Sequence, residues 1–393
     1  MATPLTENTL RIIDATAPVV AAHIDEIVPC MYRRLLAEPS IRALFNMSHQ
    51  QGDSPQHKAL AGALVAYATH IRTPDVLCDA IERIAQKHAG LQILPEHYPH
   101  VADALLGAVS EVLKDAATPE VLAAWGEAYW VLADTLIARE EQLYTDAETQ
   151  TGGWRGWRRF QVASRTREAE DIMSFVLRPV DNGPVIRHRP GQYLSFRFVP
   201  APGEECRRNY SISSAPDGKS YRITVKREPN GRISNWLHQS AEIGTEVDVA
   251  APSGEFFLDP AHKREVVLLS GGVGLTPMVA MLESYGREDL RMISVHATRD
   301  DRHHAMRETL RNRATESYVF YDVASEQDLH SGIRRGRIDP KWLIEISDPA
   351  AADYFICGPA GFMQAMVDGL KAANVPSSRI HYEFFGPAAA QIG

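Results

Sequence analysis

The sequence predicts a multidomain chain whose fold class changes twice: an all-α segment, then an antiparallel β-barrel, then an α/β domain on a parallel sheet. Three observations carry this. Residues 1–146 hold apolar side chains at helical spacing, with Pro39, Gly52, Pro55, Pro74, Gly90, Pro95 and Pro119 at the breaks. From Trp154 the pattern alternates, as in Leu194, Phe196 and Phe198 against Tyr193, Ser195 and Arg197, which is the period of half-buried antiparallel strands. After Pro260 the strands become continuous apolar runs (VVLL at 266, MISV at 292, YVFY at 318, YFIC at 354) separated by helix-length segments, as in a parallel sheet covered on both faces. Polar seams at 148–153 and 259–264 set the boundaries: 1–146, a linker of 147–153, 154–260 and 261–393.

A chain of 393 residues has room for three cores. With 41 Lys and Arg against 50 Asp and Glu, the net charge of -9 gives no pull toward phosphate backbones, so nucleic acid is not an expected partner. Cys30, Cys78, Cys206 and Cys357 form no CxxC pair, which points away from a disulfide framework or a zinc site and toward a reducing cytoplasm. The N-terminal MATPLTENTL has no basic stretch followed by an apolar core, so no secretory signal is expected. The run from Val266 to Leu282 is broken by SGGVG, Thr276 and Pro277, and no transmembrane helix is expected either. Oligomeric state is not legible; a monomer is the default expectation.

In the helical segment the informative residues are polar side chains on apolar stripes. Leu122, Trp125, Tyr129, Leu132, Leu136 and Leu143 form one stripe, and Glu140 occupies a step of it. A buried carboxyl there needs a partner. The stripe Leu77, Ile81 and Ile84 runs on to His88, while Tyr98 opens the stripe Val101, Leu105 and Val112, so His88, Tyr98 and Glu140 can meet in one interior. Tyr32 shares a face with Val28, Leu35 and Leu36, and Gln56 precedes Leu60 and Leu64 by one turn. On pattern alone, His88 is either a metal ligand or a core histidine satisfied by a carbonyl.

In the barrel the strings are RPGQYLSF, RRNYSIS and NGRISNWL. Arg208, Tyr210 and Ser211 offer a cation, an aromatic face and a hydroxyl, which suit a flavin and its pyrophosphate, and Gly231 and Ser234 at a helix start offer a second phosphate contact. In the last segment a strand runs into GGVGLTP and then a helix. Gly272 and Gly274 let backbone amides approach a pyrophosphate at the helix N-terminus, with Thr276 expected as cap and Pro277 as first helical residue. The third glycine of GxGxxG is absent, so a structural turn stays open. Cys357, Gly358 and Pro359 end another buried strand, where ligands of open α/β sheets sit; a plain buried thiol is the alternative for Cys357.

In this order and spacing the five motifs (RxYS, GxxS, GGxGxTP, CGP and a C-terminal aromatic) resemble the ferredoxin reductase family from Trp154 to Gly393. The resemblance implies FAD on the barrel, held by Tyr193, Arg208, Asn209, Tyr210, Ser211, Gly231, Ser234, Phe384, Phe385, Gly386 and Pro387, with Phe385 covering the flavin ring. It also implies NADH or NADPH at Gly272, Val273, Gly274, Leu275, Thr276, Pro277, Cys357, Gly358 and Pro359. Arg299 after the second parallel strand suits a ribose phosphate, whereas Asp300 and Asp301 oppose one, so the choice of nucleotide stays open.

FNMS at 45–48, QKHAGLQI at 86–93 and WGEAYWVLAD at 125–134 are similar to the globin domain of the flavohaemoglobin family, which then accounts for the whole chain. That resemblance implies haem b with His88 as the proximal iron ligand, Tyr98 and Glu140 hydrogen-bonded behind it, Tyr32 and Gln56 as distal donors, Leu60 shaping the pocket and Phe45 packing on the haem. Lys87 and Glu383 match redox-tuning positions. The loop QQGDSPQHKAL is about one residue longer than the family's, which makes His57 a rival to Gln56. The implied activity is nitric oxide dioxygenase: NAD(P)H reduces FAD, FAD reduces the haem iron, and ferrous-oxy haem converts nitric oxide to nitrate. An oxygen-binding sensor or store with its own reductase, or a flavin reductase for another acceptor such as a hydroperoxide, are the alternatives.

Overall fold

The computed structural model describes residues 4–45, 55–201, 203–261, 263–286 and 290–385, without the side chains of 55, 56, 58 and 59. Two compact units divide near 147, and each is taken by itself.

The first unit is helical: α1 (Glu7–Ala22), α2 (Ile24–Leu35), α3 (Pro39–Arg42), α4 (Pro55–Thr69), α5 (Cys78–Leu91), α6 (Tyr98–Leu113) and α7 (Pro119–Thr149). Its apolar residues form two clusters. One gathers Ile27, Met31, Ile41 and Trp125 with Phe45, Leu60 and Leu64. The other gathers Ala85, Tyr98, Ala133 and Leu136 with Ile81, Ile84 and Leu132. Two details differ from the sequence expectation. Gly90 lies inside α5, and the break comes at Gln92, which takes φ 57 and donates its own side-chain amide to the Ala89 carbonyl. That bond satisfies an end-of-helix acceptor and offsets the left-handed backbone. Helix α7 also runs past 146 to Thr149, since no Pro or Gly stands before Gly152 to stop it. It is the one described helix long and apolar enough to cross a membrane. Its Trp125, Ala128, Ala133, Leu136 and Glu140 are instead buried in the helical core.

The second unit opens with a six-stranded sheet in the order β4-β3-β6-β1-β2-β5. Its strands are β1 (Arg158–Arg167), β2 (Ile172–Pro179), β3 (Tyr193–Ala201), β4 (Glu204–Ser211), β5 (Tyr221–Lys226) and β6 (Glu246–Val249), with helix α8 (Arg232–Gln239). The pairings of β1, β2, β3, β5 and β6 are antiparallel, and an isolated bridge between Ile212 and Ile223 brings the two edges together. Leu194, Phe196 and Phe198 are buried as their alternation requires, but Tyr193 and Ser195 on the other face are buried too. That end of β3 is covered on the second face as well: the segment around Ser253 pairs with Tyr193 and lays Gly254 against its ring.

The rest of this unit is a parallel sheet in the order β10-β9-β8-β7-β11-β12. Its strands are β7 (Glu265–Gly271), β8 (Arg291–Thr298), β9 (Glu316–Tyr321), β10 (Arg334–Arg335), β11 (Ala352–Cys357) and β12 (Ile380–Glu383). Helices α9 (Leu275–Tyr285), α10 (Arg307–Arg313), α11 (Glu326–His330), α12 (Pro340–Ile346) and α13 (Ala360–Ala372) connect them. The four apolar runs became β7, β8, β9 and β11. Apolar clusters on both faces explain their unbroken hydrophobicity.

Three buried histidines in this unit tie its stability to pH. His188, whose Nε2 bonds the Ser214 carbonyl, is pushed down to about 4 by burial, His304 to about 3, and His296 well below its usual value. An unfolded histidine takes a proton near 6.5, whereas these stay neutral. The stability they protect is therefore present above pH 6.5 and drains as pH falls toward 4 and 3. Each costs about 1.4 kcal/mol per pH unit in that window. Calorimetry of this transition from pH 7.5 to 5.5 should show a steep fall, and His304→Gln should lose less over the same interval. An unchanged slope in that variant would refute the assignment.

Candidate functional site

Helix α5 carries His88 toward α6 and α7. His88 Nδ1 lies 2.8 Å from Glu140 Oε1 and 3.2 Å from the Tyr98 hydroxyl, which itself donates to the same Oε1 at 2.6 Å. Glu140 is 2% exposed, so the Tyr98 contact is shielded from water and the His88 contact is half-buried. Burial first, and then the Glu140 charge, pushes the Tyr98 phenol well up, so it remains a donor. The Tyr129 hydroxyl donates to the Tyr98 carbonyl at 2.7 Å and fixes where α6 begins. With Nδ1–H committed to Glu140, the ring presents the Nε2 lone pair, which has no partner among the described residues. One oriented imidazole is a donor set for an iron that brings its own equatorial ligands. A bare divalent cation would need several protein ligands. Haem fits this site.

The Tyr32 side chain on α2 is buried, which pushes its phenol up to about 12 and keeps it a neutral donor. Phe45 stands edge-on to its ring at 5.8 Å, and the His57 ring lies 4.2 Å from it at 31°. Leu60 packs into the same cluster as Phe45. Gln56 sits in the first turn of α4, but its side chain lies outside the described residues. The structure thus brings Tyr32, Phe45 and His57 together. Lys87 is exposed, one position away from the His88 face.

On the barrel, Tyr193 opens β3 with its hydroxyl buried and unpartnered among the described residues, an orphan that a flavin atom would satisfy. Gly254 lies against its ring, where a Cβ would come within 2.9 Å. Strand β4 places Arg208 and Tyr210 on one face and Asn209 and Ser211 on the other. Tyr210 is braced edge-on by Phe196 at 5.8 Å and Phe198 at 6.3 Å, which holds a ring face ready for stacking. Gly231 caps α8, and a Cβ there would meet Ser234 Oγ at 2.3 Å. The Ser234 hydroxyl donates to the Gly231 carbonyl and accepts from Glu228 N, so it braces the turn that a phosphate would approach. Phe384 is partly buried beyond β12, and Phe385 is 47% exposed; Gly386 and Pro387 lie outside the described residues.

The parallel sheet reverses its order between β7 and β11, and the two glycine motifs end these two strands. A dinucleotide binds at such a switch point, beyond the carboxyl ends of the strands. After β7, Gly272, Val273 and Gly274 form a single 3-10 turn. Gly272 has φ +54 with open space where a Cβ would stand, a cradle for a phosphate, whereas a Cβ on Gly274 would lie 2.2 Å from the Cys357 carbonyl oxygen. Because this turn supplies the first coil, α9 begins at Leu275 with Gly274 as cap. The expectation for Thr276 and Pro277 is therefore corrected. Both lie within the first helical turn, where a proline costs no hydrogen bond, and the Thr276 hydroxyl donates to the Val273 carbonyl at 3.1 Å. Cys357 is fully buried, and burial first, then Glu383, raises its thiol well above the usual range. Gly358 and Pro359 follow it beside Gly271, and Glu383 pairs with Cys357 across the β11–β12 ladder. Burial first, and then the Glu383 charge, pushes the Tyr193 phenol well up. Beyond β8, Asp300 accepts from His303 Nδ1 at 2.6 Å, and Arg299 reaches the same ring at 3.4 Å.

Two residues outside the motifs also join barrel and sheet: Arg222 on β5 and Glu283 on α9, 2.7 Å apart. Their only sequence signal is a single carboxylate in the apolar helix LTPMVAMLESY.

A helical unit with an oriented histidine, joined to flavin- and dinucleotide-type lobes, defines a haem-containing oxidoreductase. Comparison with known proteins agrees with each part: the globin family matches residues 29–136, the oxidoreductase FAD-binding domain residues 159–258, and the oxidoreductase NAD-binding domain residues 268–368. The chain is 46% identical over 394 residues to a flavohemoprotein of Xylella fastidiosa and 42% identical over 398 residues to one of Rhizobium meliloti, covering 98% of this chain and of the relative in each case. A flavohemoglobin from Malassezia yamatoensis, solved with bound FAD and heme, matches with TM-score 0.85 and 30% identity over 98% of this chain and all of that one. The FAD/NAD-binding domain of nitric oxide dioxygenase from Vibrio cholerae matches at 34% identity and TM-score 0.54, covering 59% of this chain and 100% of that one. The chain belongs to the flavohemoprotein family.

Proposed function

We propose that this chain is an NAD(P)H-dependent nitric oxide dioxygenase, converting nitric oxide and dioxygen to nitrate. The observation that carries this is the His88–Glu140–Tyr98 cluster on a chain that also bears both reductase lobes. Haem b supplies an oxygen-binding iron, FAD divides a two-electron donor into single electrons, and NADH or NADPH supplies them.

On this reading His88 would hold the haem iron, and Glu140 would make its imidazole a stronger donor through Nδ1. Tyr32 would offer a neutral O–H to the bound oxygen, Gln56 or His57 would supply a second donor, and Phe45 and Leu60 would line the pocket against water. Tyr193, Arg208, Asn209, Tyr210 and Ser211 hold the flavin, with Gly231 and Ser234 at its phosphates and Phe384 and Phe385 at its ring. The glycine turn from Gly272 to Gly274 and the Cys357–Pro359 loop hold the dinucleotide. The three domains are 1–146, 154–260 and 261–393.

The test is anaerobic reduction with NADH followed by oxygen and nitric oxide, with nitrate quantified. Stoichiometric nitrate supports the reading. A flavin that bleaches while the haem stays ferric, or NADH turnover that stays slow with nitric oxide present, overturns it. Glu140→Gln should retain haem but raise its midpoint potential, on the order of tens of millivolts, because a neutral amide donates less density through the imidazole. Spectroelectrochemical titration checks this, and a fall in potential would contradict the role given to Glu140.

A further inference from the structure

Helix α9 starts at the dinucleotide turn, and its residues from Leu275 to Leu282 are all buried. Glu283 is its one charged side chain, 20% exposed. Its carboxylate grips the barrel twice. Oε1 accepts from Arg222 at 2.7 Å, and Oε2 accepts from the backbone N–H of Ala215 at 3.1 Å. Ala215 lies four residues beyond Ser211, where the proposed flavin motif ends. Arg222 in turn donates to the Ser213 carbonyl and, through Nε, to Ser213 Oγ at 3.3 Å. Ser213 Oγ contacts Thr224 Oγ1 at 2.8 Å, and Thr224 contacts Ser174 Oγ at 2.8 Å, so the chain of polar contacts ends inside the barrel sheet.

Apolar side chains also join α9 to the barrel, with Met278, Met281 and Leu282 in one cluster with Ile172, Phe256 and Leu258. Apolar surfaces hold two elements together but set their register weakly. A carboxylate bound by one guanidinium and one fixed amide has direction. Reaction between two bound groups depends steeply on their separation, and a misplacement of about 1 Å costs on the order of a hundredfold.

We propose that Glu283 and Arg222 are positioning residues for electron entry, locking the helix that begins at the dinucleotide turn to the segment that leaves the flavin strand. The inference rests on the reading of the second unit as an FAD and NAD(P)H reductase. Neither side chain need touch a cofactor. Their effect is on how closely the nicotinamide meets the flavin.

The experiment uses the full-length holoprotein, Glu283→Ala, Glu283→Gln and the reversed pair R222E/E283R. Hydrogen exchange over residues 211–216 and 275–286 reports the lock without reference to turnover. Stopped-flow flavin reduction at saturating NADH, with protiated and 4-deuterated nucleotide, reports geometry. Glu283→Ala should keep its FAD and haem, exchange faster in both segments, reduce its flavin about tenfold more slowly with a larger isotope effect, and bind NADH within about twofold of the parent. Glu283→Gln should fall between, since its amide oxygen still accepts from Ala215, and the reversed pair should be faster than Glu283→Ala. Flavin reduction at the parent rate in Glu283→Ala overturns the proposal, as does a slow rate with an unchanged isotope effect. If either single variant loses FAD, the reversed pair decides: recovery of FAD without recovery of rate counts against the lock. A parent protein whose flavin NADH does not reduce would instead refute the reductase reading.

Discussion

His88→Ala is expected to yield a protein that binds FAD and passes electrons from NADH to ferricyanide, yet carries no haem and consumes no nitric oxide. The ring nitrogen at this position is the only described one that Glu140 and Tyr98 orient together. Disturbing a residue behind a metal ligand already costs about ten- to a hundredfold in affinity, and removing the ligand itself costs more. The Soret band should fall at least tenfold while flavin absorbance stays. A second effect should accompany it. Glu140, 2% exposed, loses one of its two partners, and a buried carboxyl left half-satisfied destabilises its surroundings by about 1–3 kcal/mol. The helical unit should therefore melt earlier than haem loss alone explains. His88→Gly grown with imidazole should regain haem, because free imidazole fills the cavity and reaches both Glu140 and the iron. A normal Soret band in His88→Ala would remove His88 from the iron and with it the haem reading of this cluster.

Legibility in the sequence followed the range of the interaction concerned. The four apolar runs gave β7, β8, β9 and β11, since a strand buried on both faces can hold nothing else. The β10 and β12 strands escaped notice: two and four residues at the sheet's edges carry too little pattern. Glu140 stood out as a carboxylate on an apolar stripe, and three stripes predicted that His88, Tyr98 and Glu140 could meet. That one oxygen serves both partners depends on three helices crossing at one point, which no local pattern encodes. Thr276 looked like a helix cap because the preceding glycines read as loop, whereas their 3-10 turn moves the helix start to Leu275. The Arg222–Glu283 contact joins residues whose partners lie in a different lobe. Its trace in the sequence was a lone charge in an apolar helix, without any hint of what it met.

Gly274→Ala should nearly abolish NADH-driven electron entry while leaving both redox centres in place. A Cβ at this position would stand 2.2 Å from the Cys357 oxygen, 2.5 Å from its carbonyl carbon and 2.8 Å from Gly358 N. All three are backbone atoms, so no rotamer change relieves the clash. The turn after β7 and the loop after β11 must separate, and these are the two walls of the switch-point crevice. A displacement of about 1 Å there is expected to slow flavin reduction on the order of a hundredfold. Dithionite should still reduce the haem of this variant, and its FAD content should match the parent's, because neither depends on the gap between β7 and β11. Gly272→Ala supplies the contrast. Its Cβ would enter open space, so nothing in the protein must move; the penalty is the left-handed backbone, about 1–2 kcal/mol, together with crowding of whatever occupies the cradle. Gly272→Ala should therefore weaken NADH binding more than it slows reduction at saturation, and Gly274→Ala the reverse. Parent-like flavin reduction by NADH in Gly274→Ala would show that the crevice between these two loops is not where electrons enter.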